Sequence, residues 1–372
     1  MMFALLALLA LPPARPARPA RPAKPAPACS PLTEKQLAEN TTLTESCYSI
    51  NTVANVKGAI TVEPGVHIVF GPSSSLYLEN GGSLTAVGTE DKPIVFEGKN
   101  HTPGYWNGLT FSSNSSRNQL SYVKVADGGT VGSSGGAVVV SVAARLSMDH
   151  TTIRNAEGNG LYVAQRGILA HFEKNHFHGT EIPLSVKASD LAMLDPDTTF
   201  ADNKKNYVQV YFNECNVSDD QTWRALKIPY HFDCSPTIES HVSIAPGATL
   251  EFTEGTSLDV RQQGSLSAVG TQENPIVFTG TDPTPGYWRG VFIESNSARN
   301  VIRNAKITYA GQDKNIGGGV CISVRARASV SASEIAYNLV AGIHVLQNGM
   351  LNDDAASSNK FHDNKQDILK QN

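Results

Sequence analysis

The stretch GAVVVSVAARLSMDHTTIRNAEGNGLYVAQRGILAHFEKNHFHGTEIPLSV, residues 136–186, carries the pattern that predicts the fold. Apolar triplets begin at Val138, Leu161, Leu184 and, further on, Val208, at spacings of 23, 23 and 24 residues. Gly, Asn and Asp separate them, as expected for short strands joined by turns, and no helical period is sustained. A period of this length with several short strands indicates a solenoid. We expect these four side chains to form one inward-facing ladder.

A second spacing, of about eight residues, divides each coil into three faces. Apolar residues recur at this spacing in two places, at Ile60, Ile68, Leu76 and Leu84 and again at Val242, Leu250, Leu258 and Leu266. Three such faces make one coil of a parallel β-helix, in which strands stack on strands and apolar side chains fill the interior. The L-x-x-L-x-L pattern of leucine-rich repeats does not occur in the sequence, which excludes that solenoid class.

The chain also contains one long internal duplication. The segment TAVGTEDKPIVFEGKNHTPGYWNG, residues 85–108, returns as SAVGTQENPIVFTGTDPTPGYWRG, residues 267–290, an offset of 182. The matching positions are mostly Gly, Pro, apolar or aromatic, whereas the charged positions differ. Because a scaffold keeps its packing while its surface varies, the duplicated stretch predicts a scaffold. We expect two units, 29–214 and 215–372, which are called the first and second copy below.

Four motifs support a resemblance to a known group. Pro-Gly-x-x-x-x-Phe, Gly-Ser-Leu-x-Ala-Val-Gly-Thr, Pro-Ile-Val-Phe-x-Gly and Pro-Gly-Tyr-Trp-x-Gly resemble motifs of secreted bacterial right-handed parallel β-helix proteins with the pectate-lyase-like fold. The resemblance covers residues 48–212 and 230–372. It implies an all-β, right-handed parallel β-helix of two tandem units. The group contains pectate-lyase-like enzymes and surface adhesins, so the resemblance does not choose between catalysis and binding.

Residues 1–28 are expected to be a signal peptide and spacer. The apolar run MFALLALLAL, residues 2–11, is too short to span a bilayer and is similar to the core of a secretory signal, although no Lys or Arg precedes it. A basic, Pro-rich stretch follows and ends in Ala26-Pro27-Ala28, an A-x-A cleavage pattern. We expect a mature protein that is secreted or in the cell envelope, without a transmembrane segment. A lipid anchor at Cys29 is the alternative.

Charge excludes one class of partner. The formal net charge of the whole chain is −4, and four of its basic residues lie in the first 28 positions. The remaining chain is therefore more acidic still. A protein with this charge has no basic surface for nucleic acid, so we exclude that partner.

The cysteines form two local pairs. Cys29 and Cys47 are 18 residues apart, and Cys215 and Cys234 are 19 apart, with one pair at the start of each copy. In an exported protein this spacing predicts two disulfides. No CxxC pair or clustered His accompanies them, so we expect no metal site there. Cys321 follows three glycines at an apolar strand position and is expected to be a buried free thiol.

The duplicated aromatic residues are the candidate ligand-binding residues. These are Tyr105 and Trp106 in the first copy and Tyr287 and Trp288 in the second. Aromatic faces suit the C–H surfaces of sugar rings, so the four residues are candidates for binding a glycan. The competing interpretation, which we favour, places each Trp against the interior at a tight Gly-flanked corner.

Three further groups of polar residues have the side chains that a catalytic or metal site would need. Asp149-His150 is a candidate acid–base pair that has no counterpart in the second copy, where Ser331 and Ala332 stand. His176 and His178 should share an outward face, with His171 or Glu173 as a third ligand if a metal were bound. Carboxylates that would suit Ca²⁺ occur near the C-terminus, at Asp353, Asp354, Asp363 and Asp367. No catalytic or calcium-binding motif supports any of the three, so we predict no cofactor and name no catalytic residue.

Composition, repeats and motifs favour a non-enzymatic exported protein that binds carbohydrate or another surface. A polysaccharide lyase or glycoside hydrolase acting in a groove on the helix is the first alternative. A purely structural envelope protein is the second. The expected partner is an extracellular glycan or a cell-surface component.

Overall fold

The computed structural model describes residues 29–371 except 131, 133, 212, 213 and 262, so the signal peptide and spacer predicted for 1–28 lie outside the described residues. The described chain is a parallel β-solenoid in which strands pair with the equivalent strands of the neighbouring coils. The predicted parallel β-helix is confirmed. Within the described residues, three short helices interrupt the strands, namely the α-helices Glu34–Ala38 and Ala355–Ser358 and the 3₁₀-helix Ala188–Met193.

In the part of the chain that the structure describes, five parallel sheets form the faces, and one of them runs through both copies. Sheet 1 contains Ser30–Pro31, Cys47–Ile50, His67–Phe70, Ile94–Gly98, Val123–Ala126, Thr152–Arg154, His176–His178 and Thr199–Ala201. Sheet 2 contains Val53–Val56, Ser75–Leu78, Leu109–Phe111, Gly136–Val140, Asn159–Val163, Ile182–Val186, Val208–Val210, Tyr230–Phe232, Thr249–Phe252, Ile276–Gly280, Ala305–Thr308, Glu334–Ala336 and Lys360–His362.

The remaining sheets each belong to one half of the chain. Sheet 3 contains Thr41–Leu43, Ala59–Val62, Ser83–Val87, Gln119–Ser121, Arg145–Asp149 and Ile168–Glu173. Sheet 4 contains Asn216–Val217, Thr237–Ile238, Ser257–Val260, Gly290–Ile293, Val320–Ile322, Ile343–Val345 and Ile368–Lys370. Sheet 5 contains Gln221–Trp223, His241–Ile244, Ser265–Val269, Val301–Arg303, Arg327–Ser331 and Met350–Leu351.

The apolar ladder predicted from the 23-residue period is confirmed. Val138 pairs with Leu161, Leu161 with Leu184, and Leu184 with Val208, each on the next coil of sheet 2. All four side chains are fully buried. Because side chains alternate between the two faces of a strand, fixing one residue in the interior fixes its neighbours at the surface. The sequence period therefore sets which residues of each strand can form a site.

The cysteine predictions are confirmed. Cys29 is bonded to Cys47, and Cys215 to Cys234. The disulfide occupies the thiol of Cys29, so this thiol is not free to carry a lipid. Cys321 is a buried free thiol, and its burial raises its pKa to about 12. Two disulfides are consistent with an extracellular or envelope location.

The two copies use the faces of the solenoid differently. Ile94–Gly98 lies in sheet 1, but the duplicated strand Ile276–Gly280 lies in sheet 2. Likewise Leu109–Phe111 lies in sheet 2, whereas its counterpart Gly290–Ile293 lies in sheet 4. Equivalent strands are thus displaced by one face. The displacement arises between the copies, where the 3₁₀-helix Ala188–Met193 stands in place of a further strand of sheet 3.

None of the helices in the described part of the chain has the length and apolar character to cross a bilayer.

Candidate functional site

The duplicated tryptophans are interior residues. Trp106 and Trp288 are fully buried, and their rings stack on Phe70 at 3.8 Å and on Phe252 at 4.4 Å between centroids. Their indole N–H groups donate to the carbonyl oxygens of Ala126 and Thr308, each at 2.8 Å. Neither indole presents a free face to a sugar ring, which corrects the candidate role of these two residues in binding. The scaffold interpretation explains both.

The neighbouring tyrosines remain at the surface. Tyr105 and Tyr287 are half-buried, and their backbone N–H groups donate to the carbonyls of Asp127 and Tyr309, each at 2.9 Å. These bonds join the two Pro-Gly-Tyr-Trp segments, residues 103–106 and 285–288, to the next coil, and we call each segment an aromatic corner. The hydroxyl of Thr281 donates to the phenol oxygen of Tyr287 at 3.1 Å. Both tyrosines are therefore still candidates for ligand contact, unlike the tryptophans that follow them.

A surface cleft opens at the edge between sheets 3 and 1, which we call the Tyr122 cleft. It has a volume of about 410 Å³. Its lining residues are Thr89, Glu90, Pro93, Tyr122, Val123, Lys124, His150, Thr152 and His176. The rings of Tyr122 and His150 stack with centroids 4.5 Å apart and an angle of 11° between their planes. The cleft thus combines an aromatic wall with a carboxylate, an ammonium and hydroxyl groups.

The Asp149-His150 pair lies at this cleft, but its geometry does not activate a nucleophile. His150 Nδ1 lies 3.0 Å from Asp149 Oδ1, and the hydroxyl of Ser121 donates to the same oxygen at 2.6 Å. In a nucleophilic triad the serine must be bonded to the imidazole, and the carboxylate must bond the other side of that ring. Here the serine and the imidazole both bond the carboxylate. The arrangement fixes the His150 ring beneath Tyr122.

A second group of polar residues lies at the opposite edge of sheet 1, which we call the Glu97 cluster. Glu97, His101 and Asp127 each offer one ligand atom, and these atoms all lie within 4.8 Å of one another. His101 Nδ1 is 2.9 Å from Asp127 Oδ2, and this hydrogen bond raises the pKa of His101 above its ordinary value. Asp127 is fully buried, whereas the His101 side chain is mostly exposed. The cluster therefore has a fixed inner carboxylate and an accessible outer imidazole.

Neighbouring side chains orient the two carboxylates. Asn155 Nδ2 donates to Asp127 Oδ1 at 2.7 Å, which leaves Oδ2 for His101. His67 Nε2 lies 2.9 Å from Glu97 Oε1, and Arg154 Nη2 lies 3.6 Å from Glu97 Oε2. Both carboxylates thus have side-chain neighbours other than His101.

The Tyr122 cleft and the Glu97 cluster lie at the two ends of the same strands. Glu97 pairs with Ala126, and Tyr122 and Asp127 lie on either side of the strand Val123–Ala126. At about 3.3 Å per residue, roughly 16 Å separates the backbones of Tyr122 and Asp127. The outward face of sheet 1 connects them.

The second copy keeps the backbone of these positions and changes the residues. Tyr122 and His150 have φ of 50° and 45°, and the aligned residues Asn304 and Ala332 have 48° and 50°. Glu97 and His101 align with Thr279 and Pro283, and Asp127 and Asn155 with Tyr309 and Tyr337. The scaffold therefore does not require the side chains of either site.

The remaining polar candidates do not converge. His176 and His178 are both exposed on the outward face, as predicted, but each contacts a different side chain. His176 Nδ1 lies 2.5 Å from the hydroxyl oxygen of Thr199, and His178 Nδ1 lies 3.6 Å from Asp202 Oδ2. Within the described residues, the group of three potential metal ligands is the Glu97 cluster, and neither these histidines nor the four C-terminal aspartates belong to it. His171 and Glu173, the two residues predicted as a third ligand beside His176 and His178, contact each other, with His171 Nε2 3.6 Å from Glu173 Oε2.

Comparisons with known proteins add no identification, since no family model, curated protein or solved structure matches this chain.

Proposed function

We propose that this protein is an exported carbohydrate-binding solenoid and that the Tyr122 cleft holds a short segment of glycan. The observation that carries the proposal is the Tyr122–His150 stack forming one wall of a cleft that is otherwise polar. A sugar has apolar C–H faces and a rim of hydroxyl groups. An aromatic wall matches the former, and Lys124, Glu90 and Thr152 supply donors and acceptors for the latter.

The size of the cleft supports this proposal, and the backbone at Tyr122 allows a direct test. A volume of about 410 Å³ falls in the range of roughly 300–1,000 Å³ that is typical of small-ligand sites. Tyr122 has φ of 50°, in the left-handed region that bulky residues rarely adopt, whereas the second copy has Asn304 there. Asn is tolerated better in this conformation. Tyr122→Asn should therefore keep this backbone conformation while it removes the aromatic ring.

An array of microbial, plant and animal glycans tests the proposal. The parent protein should bind a defined subset, and Tyr122→Asn should lose that binding because the aromatic wall is removed. Tyr337→Asn is the matched control, since Tyr337 is also a surface tyrosine with φ of 56° but lies outside the cleft. Equal binding by the parent and Tyr122→Asn would contradict the proposal. Binding to no glycan would favour the purely structural alternative.

Cleavage of the bound glycan is the second candidate function, and the Glu97 cluster favours it. A lyase or hydrolase needs several acid–base groups on one face, and Glu97, His101 and Asp127 meet on the face that leads to the cleft. Incubation with the polysaccharide selected on the array separates the two functions. Release of new reducing ends that is lost in Glu97→Gln would establish cleavage, whereas an intact polymer would leave binding alone.

A further inference from the structure

The Glu97 cluster brings together one imidazole and two carboxylates from separate places in the sequence. Glu97 is in the strand Ile94–Gly98, His101 is in the loop after it, and Asp127 is at the corner that follows Val123–Ala126. One ligand atom from each lies within 4.8 Å of the other two. A first-row metal ion holds nitrogen and oxygen ligand atoms at about 2.0–2.2 Å, so these atoms lie close to one another. Small side-chain rotations would bring the three ligand atoms of the cluster to such a spacing.

We propose that Glu97, His101 and Asp127 bind a divalent transition-metal ion of the Zn²⁺ type. Ca²⁺ and Mg²⁺ prefer ligand sets made of oxygen, whereas Zn²⁺ and its neighbours accept imidazole nitrogen together with carboxylate oxygen. Three protein ligands leave a coordination position for water or for an oxygen of a bound molecule. The inference does not depend on glycan binding in the Tyr122 cleft.

The carboxylates are held in the way that metal ligands are usually held. Asp127 is fully buried, and Asn155 donates to its Oδ1 at 2.7 Å, so Oδ2 is directed toward His101. The backbone carbonyl of Asp127 accepts from the N–H of Tyr105 at 2.9 Å, which fixes the corner itself. Hydrogen-bonded supports of this kind orient ligands and contribute to metal affinity. Asp127 is therefore the fixed ligand of the site, and His101 is the exposed one.

The second copy shows that folding does not need these ligands. Its corner has φ of 63° at Tyr309, against 65° at Asp127, and the same stacked Trp lies beneath it. A buried carboxylate bonded to an imidazole is costly to desolvate, and this scaffold folds with a tyrosine in its place. The Asp–His–Glu set therefore points to a ligand of opposite charge.

Calorimetric titration of tag-free, chelator-treated protein with ZnCl₂ tests the site. Titration with Co²⁺, monitored by its visible absorption bands, gives a second readout. We expect one high-affinity ion per chain. Glu97→Thr and His101→Pro, which introduce the residues of the second copy, should lower the affinity at least 100-fold. Asn155→Gly, which the left-handed backbone accepts, should lower it by about 10–100-fold.

His178→Ala is the matched control because His178 is an exposed histidine on the same sheet, outside the Glu97 cluster. It should bind Zn²⁺ as the parent does. Far-UV circular dichroism and melting temperature check that each variant is folded. Absence of Zn²⁺ and Co²⁺ binding to the parent would overturn the proposal. Equal affinities in the parent, Glu97→Thr and His101→Pro would overturn it as well.

Discussion

Asp127 and Tyr309 occupy the same backbone position in the two copies, with φ of 65° and 63°, yet one is a buried carboxylate and the other a stacked aromatic ring. Each carbonyl accepts from the N–H of the tyrosine in its own aromatic corner at 2.9 Å. The corner therefore has the same backbone conformation and the same backbone hydrogen bond in both copies. Its side chain is free to differ, because the hydrogen bond that closes the corner uses only the backbone.

The second disulfide should stabilise the start of the second copy. By the loop-entropy model, closing a loop of 19 residues contributes about 3 kcal/mol. We expect Cys215→Ala/Cys234→Ala to lower the free energy of unfolding in guanidinium chloride by about that amount. Cys321→Ala, which removes only a free thiol, should lower it less. Identical denaturation curves for the double variant and the parent would contradict the prediction.

His231 should make stability depend on pH. Burial lowers its pKa, but the carboxylates of Asp233, 3.3 Å from Nε2, and Glu251, 3.9 Å from Nδ1, outweigh burial and raise the pKa to about 9. Because the pKa is higher in the folded state, the charged imidazole stabilises the fold. Its contribution to the free energy of unfolding is complete below the unfolded pKa of about 6.5 and is lost as pH rises through 9. We expect His231→Gln to destabilise strongly at pH 6, by on the order of 3 kcal/mol, and much less at pH 10.

Urea denaturation at pH 6 and at pH 10 provides the measurement for His231. The informative quantity is the difference between parent and variant at each pH, since other groups titrate in both proteins. His178→Gln, an exposed histidine paired with Asp202 at 3.6 Å, is the control and should show little difference at either pH. A His231→Gln effect of equal size at the two pH values would show that the imidazole is not charged in the fold.

Buried asparagines should be structural residues. The Oδ1 atom of Asn175 accepts from the N–H of Thr151 at 3.0 Å, and its Nδ2 donates to the carbonyl of Met148 at 3.2 Å. Asn175→Ala leaves a buried N–H without a partner, at a cost of roughly 1–3 kcal/mol. Thermal denaturation should show this loss, whereas the exposed Asn114→Ala should melt close to the parent. Equal melting of both variants would refute the structural role.

The coil register and the disulfides could be predicted from the sequence because both depend on local spacing. A period of 23 residues places Val138 over Leu161, and pairs at 18 and 19 residues close short loops. The displacement of equivalent strands by one face could not be predicted. It depends on the 3₁₀-helix Ala188–Met193, which takes the place of one strand between the copies and which no sequence repeat indicates.

The sequence singled out only His150 and His176 of the Tyr122 cleft, and it did not indicate the Glu97 cluster at all. Glu97, His101, Asp127 and Asn155 form no sequence motif, and they meet only because strands of sheet 1 stack and corners turn at fixed positions. A signal was nevertheless present. Aligned positions that change from one chemical class to another, such as Asp127 to Tyr309, mark where the scaffold carries a side chain for another purpose.

The central claim is that the repeated residues are scaffold and that the recognition residues are among those that differ between copies. Unfolding free energies of Trp106→Ala, Trp288→Ala and Tyr122→Asn, measured side by side, test it most directly. We predict a loss of roughly 3–5 kcal/mol for each buried Trp and little change for Tyr122→Asn. Trp variants that unfold like the parent, with Tyr122→Asn strongly destabilised, would contradict the account.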